Sequence, residues 1–188
     1  MKLIAFASLA LAVPLCLSAQ AAPVNPITAV FRARTMILQK NLAQAFDSIP
    51  EAKFGYRPTP AQLTIGYIAQ HLASDNYFFC NNFGARKGTP AAEDAATADS
   101  VKAKWPKAQL LTKLNASFAF CEEAFAQLDD AKLAEQITMT RGTATSQQTR
   151  ALMVLGHTLD MADHYSQIAN YMRLNNLIPP TALPRPRP

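Results

Sequence analysis

Four stretches of this chain repeat apolar residues every three to four positions, and prolines punctuate the connections between them. A half-buried strand alternates in steps of two, so this pattern commits the chain to packed amphipathic helices. The first stretch, residues 26–46, sets Ile27, Val30, Phe31, Ile37, Leu38, Leu42 and Phe46 at helical spacing with no internal proline or glycine. The second is expected over 60–83, because Thr59-Pro60 suits an N-cap followed by a first helical position. Residues 84–97, with Gly88, Pro90 and many alanines, read as a crossover loop. The third stretch is interrupted by Trp105-Pro106 and then runs over 107–128, with Leu110, Leu114, Phe118, Cys121, Phe125 and Leu128 on one stripe. Residues 129–142 are a polar passage in which Ile137-Thr138-Met139 can be extended. The fourth helix is expected over 145–176, roughly 48 Å long if continuous, and Pro179-Pro180 stops it. The fold class that follows is all-α: an up-down four-helix bundle with no strong strand signal and no internal repeat.

At 188 residues the chain suits one domain and one core. With 49% hydrophobic and 16% charged residues it is not a disordered composition. Lys2 opens an apolar run that reaches Leu17 and ends in Ser18-Ala19-Gln20-Ala21, the pattern of a secretory signal peptide. Residues 1–21 are therefore expected to be a removable leader, 22–180 the bundle, and 181–188 an extended, solvated tail rich in proline and arginine. The apolar run is short for a bilayer span, so no membrane association is expected after cleavage, and the mature protein is expected to be periplasmic or secreted. Cys16 follows Leu15 instead of a small residue, which does not suit lipoprotein acylation.

Cleavage leaves Cys80 and Cys121. In an oxidising compartment a disulfide between them is the default, with two buried thiols as the alternative. The net charge of +5 counts Lys2, in the leader, and Arg185 and Arg187, in the tail. The body is thus mildly basic, without the Lys/Arg clusters interleaved with aromatics that nucleic-acid binding requires.

All three histidines fall on the second and fourth helices. At 100° per residue His71 shares a face with Tyr67, Ile68, Asp75 and Phe78, while His157, Asp160 and His164 share theirs with Met153, Ile168 and Tyr171. Both sets lie in core-facing stripes, where an imidazole or carboxylate is paired, or coordinated to a metal. Asp160 and His164 are one turn apart and can converge on one ion. His157 and His164 are roughly 10.5 Å apart along the axis, too far to share one. His157 is then a pocket residue, a supporting partner or an alternative ligand with Asp160. Asp75 can orient His71 through its second nitrogen, or it is an ordinary exposed helix carboxylate.

Two blocks resemble the DinB/YfiT-like family. Tyr56-Arg57-Pro58-Thr59-Pro60 and the helix that carries His71 look like that family's lead into its second helix. Asp163-His164-Tyr165 through Arg173-Leu174 and Pro179-Pro180 look like its last helix. The resemblance covers nearly the whole chain after the leader. It implies a four-helix bundle with a mononuclear site of three histidines, whose positions correspond to His71, Asp160 and His164. The middle position departs from the family, since aspartate stands where histidine is usual. Two histidines and a carboxylate still suit Zn²⁺, Ni²⁺ or Fe(II).

Family members include thiol-dependent S-transferases and hydrolases, which implies a metal-dependent hydrolase or transferase acting on a small molecule. An exported location weakens the thiol-transferase reading. In the enzyme reading His157 is the candidate catalytic proton shuttle, and Tyr67 and Tyr171 are pocket hydrogen-bond donors. The alternatives are a non-catalytic metal- or small-ligand-binding bundle, and a structural bundle whose polar residues form a core network. A homodimer is compatible with the apolar faces.

Overall fold

The computed structural model describes residues 24–141 and 143–184. The expected leader, with Cys16, and the last four tail residues lie outside them. Helix α1 (Pro26–Ser48) opens on a proline, which has no N–H to leave unsatisfied. The next two N–H groups, of Ile27 and Thr28, donate to the Asp130 carboxylate at 3.1 and 2.7 Å. That cap comes from a residue more than a hundred positions away, so no local motif announces it.

Helix α2 (Ile65–Cys80) starts later than expected. Its cap is Thr64, whose Oγ1 accepts the Tyr67 N–H at 3.1 Å, and Thr59 instead bonds Gln62 within a turn. The Ile65 and Gly66 N–H groups donate to the carbonyls of Tyr56 and Phe54 at 3.1 and 2.8 Å. The preceding connection thereby satisfies the first-turn donors and sets where the helix begins. The crossover holds two short helices, α3 (Ala92–Ala96) and α4 (Asp99–Lys102), before α5 (Lys107–Phe125) starts directly after Pro106.

After α6 (Asp130–Leu133) the chain forms an antiparallel hairpin, β1 (Gln136–Arg141) with β2 (Ala144–Thr149), in register from Gln136 opposite Thr149 to Arg141 opposite Ala144. This corrects the expected helix start at 145, because α7 (Arg150–Leu174) begins only where the hairpin ends. Ile137 and Met139 pack against the core while Thr138 and Thr140 face solvent, the step-of-two pattern of a half-buried strand. The Arg150 N–H donates to the Glu135 carbonyl at 2.9 Å and closes the hairpin base. The start of the tail is also pinned instead of solvated. Pro180–Ala182 form a 3₁₀ turn, and the Tyr165 hydroxyl donates to Thr181 Oγ1 at 2.9 Å and accepts its N–H at 3.1 Å.

The four long helices pack in the ring order α1, α7, α2, α5. Helix α2 thus lies between α7 and α5 and diagonally from α1. The core has two apolar clusters. The larger gathers Leu42, Phe46, Ile68, Leu72, Leu114, Met161 and Ile168; the smaller gathers Phe83, Phe120, Phe125 and Val154 with Cys80 and Cys121. The two cysteines are joined in a disulfide between α2 and α5, with Cα atoms 5.3 Å apart. Among the described residues no helix is long and apolar enough to cross a membrane.

Candidate metal centre

Because α7 packs directly on α2, one turn of each helix faces the other at His71 and at Asp160 and His164. One ligand atom from each of the three lies within 4.8 Å of the others. The His71 and His164 rings meet edge to face with centroids 5.0 Å apart, and His164 Nε2 is 3.4 Å from Asp160 Oδ1. Ligands at about 2.1 Å from one ion sit at most about 4.2 Å apart, so a small closing movement of side chains completes a coordination set. His164 is nearly buried, whereas the His71 side chain is 31% exposed and opens the cluster toward solvent.

The buried atoms argue for an ion. Asp160 Oδ2 and His164 Nδ1 have no hydrogen-bond partner among the described residues. Leaving such atoms unpaired in a low-dielectric interior is costly, and carboxylate oxygen with imidazole nitrogen is a donor set that Zn²⁺, Ni²⁺ and Fe(II) accept. Burial opposes protonation of His164, but contact with the Asp160 carboxylate outweighs it and holds the imidazole above its ordinary pKa. Asp75 belongs to the same group of charges. Its Oδ2 is 3.4 Å from His71 Nε2. Burial raises its pKa, as does the nearby Asp160 carboxylate, with the two imidazoles opposing.

The other expected site residues fare differently. Tyr67 is half-buried, its ring 6.1 Å from that of His71, and it lines a cavity of about 730 Å³ bounded by the 51–64 connection and α4. Tyr171 is in the core, edge-on to Tyr56 at 6.0 Å; that placement removes the pocket role expected of it, since packing and not a site claims its ring. His157 is the main correction. It is 0% exposed, its Nε2 is 2.9 Å from Asn76 Oδ1 and 3.7 Å from each disulfide sulfur, and the rings of Phe79, Phe83 and Phe125 surround it. Asn76 Nδ2 donates to Ser117 Oγ at 2.8 Å, which leaves Asn76 Oδ1 to accept the His157 Nε2–H. Burial lowers the His157 pKa to about 4. A neutral imidazole sealed from water cannot pass protons to solvent, so the shuttle role is withdrawn. Sequence reading missed Asn76 and Ser117, which lie on apolar stripes and reveal their pairing only across helices.

The fold and the cluster together define a class: helical bundles with a candidate mononuclear metal site of two histidines and a carboxylate between facing helices. The family model of the DinB superfamily matches residues 36–168. That is well over half of the chain, and the chain belongs to this superfamily. Among curated proteins no sequence matches. The chain is similar in structure to a conserved protein from Enterococcus faecalis, with a TM-score of 0.62 and 14% identity over 79% of this chain and 96% of that one. It is also similar to a mycothiol-dependent maleylpyruvate isomerase, with a TM-score of 0.60 and 12% identity over 75% of this chain. The match spans 60% of the isomerase, and a point mutant of that enzyme matches with the same TM-score. At these identities the likeness establishes the shared fold.

Proposed function

We propose that this is an exported DinB-superfamily protein that holds one divalent metal ion on His71, Asp160 and His164 and uses it to hydrolyse or transfer a group on a small molecule. The observation that carries the reading is the approach of three ligand atoms to within 4.8 Å on two facing helices. When bound, the ion supplies Lewis acidity. The protein's own part is to orient and to admit. Asp160 and His164, one turn apart on α7, present fixed donors; Asp75 orients the His71 ring from the next turn of α2; and the exposed side of His71 admits a substrate. Export rests on the leader pattern at 1–21, and the Cys80–Cys121 bridge agrees with it.

A non-catalytic metal- or ligand-binding role is the second reading. Its support is that the cavities of about 610 and 730 Å³ are lined by residues other than the three ligands.

Metal analysis of untagged protein purified without chelator tests the centre. One equivalent of metal is expected in the wild type and none in His164→Ala. Metal that saturates the wild-type site a hundredfold above its Kd adds about 2.7 kcal/mol to stability, and the variant should lose that gain. Equal metal content in both proteins would remove the assignment. Asp160→His restores the donor usual in the family and is expected to keep or tighten binding; a weaker site would show that residue 160 is not a ligand. Turnover of generic ester and amide probes by the metal-loaded protein, absent from His164→Ala, separates the enzyme from the binding reading. Mass spectrometry of the exported protein should find the N-terminus near residue 22, and a retained Met1 would overturn export.

A further inference from the structure

The α2 residues next to the metal cluster hold a second anomaly. Gln70 is 3% exposed, and both atoms of its amide, Nε2 and Oε1, lack a hydrogen-bond partner among the described residues. It lies about 100° around the helix from His71 and lines a partly open cavity of about 610 Å³ bounded by α2, α3, α4 and α5. That volume falls in the range of small-molecule sites.

The walls specify the ligand's character. Ala73, Leu110 and Trp105 supply apolar surface, and Ser74, Tyr77, Thr89 and Thr112 add hydroxyls. Both lysines that line the cavity are already answered, Lys102 by Asp99 at 2.8 Å and Lys113 by Glu93 and by Asp94 at 2.8 Å, and Lys113 sits over the Trp105 ring at 5.0 Å. No unanswered charge is therefore offered, which favours a neutral ligand. A glutamine amide presents one donor edge and one acceptor edge in a single plane. Its complement is a planar group with N–H beside C=O, as in a lactam, imide or primary carboxamide.

We propose that this cavity is a binding site, separate from the metal centre, for a neutral, flat, largely apolar molecule whose amide edge pairs with Gln70. Carbostyril, a two-ring lactam, is a suitable probe, and naphthalene has a similar frame without the amide edge. Carbostyril is expected to bind the full chain about tenfold or more tighter than naphthalene, because only it satisfies both buried atoms. It should also shift the Gln70 side-chain amide NMR signals. Gln70→Met removes the unpaired amide while keeping the volume; it is expected to be as stable as the wild type or more so, and to bind the two probes equally. Equal affinity of the wild type for both probes, failure of both to bind, or a lactam preference that survives in Gln70→Met would overturn the proposal. Should the variant not fold, the NMR shift in the wild type still decides: an unmoved Gln70 signal with bound lactam refutes the pairing. None of these readouts depends on metal.

Discussion

His157 shows how much depends on what surrounds one side chain. Its helix position, three residues before Asp160, suggested chemistry, but the Asn76 amide, the disulfide and three phenyl rings make it a core histidine bonded through Nε2, while its buried Nδ1 has no hydrogen-bond partner among the described residues. Desolvation lowers its pKa from an ordinary 6.5 to about 4. The unfolded chain therefore binds a proton between those values while the folded chain does not. Its contribution to stability is complete above about pH 6.5 and is lost as pH falls toward 4, by roughly 3 kcal/mol in all. Urea unfolding at pH 7.5 and 4.5, with the disulfide intact, should show this drop, and His157→Gln should flatten it. If the variant keeps the full acid sensitivity, other groups carry it. The candidate ligands were legible because Asp160 and His164 stand at helical spacing on an apolar stripe. Gln70 was not, since an amide's lack of partners is a property of its neighbours and not of its position in a period.

At the scale of elements, α1, α5 and the end of α7 follow from periodicity and proline, while the other boundaries follow from tertiary contact. Helix α2 begins at Ile65 because Phe54 and Tyr56 receive its first N–H groups, and a β-carbon on Gly66 would lie 2.3 Å from the Ala103 carbonyl oxygen. Alanine is a better helix former than glycine by about 1 kcal/mol, yet here it must push back the end of α4. Gly66→Ala is expected to lower stability by about 1–3 kcal/mol net, read as a reduced urea midpoint. An unchanged midpoint would mean that α4 is not seated as described. The hairpin had a readable signal in Ile137-Thr138-Met139-Thr140, whose apolar and polar residues alternate. The helical pattern beginning just beyond it masked that signal and drew the expected helix start five residues too early.

For the molecule as a whole, the Cys80–Cys121 bridge ties the two helices that flank the smaller apolar cluster. It spans 41 residues of sequence, and loop-closure entropy puts its contribution at about 4 kcal/mol. Reduction, or a double Cys80→Ser and Cys121→Ser variant, is expected to lower unfolding stability by about 2–4 kcal/mol; identical denaturation curves with and without reductant would show that the bridge does not constrain the unfolded chain.

Helical periodicity, proline punctuation and the two-block resemblance determined from sequence alone that this is a helical bundle of the DinB type, and which three residues to watch. Those properties are local, or shared with relatives, and are written residue by residue. The ring order that sets α2 against α7, the burial of His157, the remote cap from Asp130 and the enclosed Gln70 amide were decided only by tertiary structure. Each of them is a relation between side chains far apart in the chain, and burial and pairing come into being only when the helices pack.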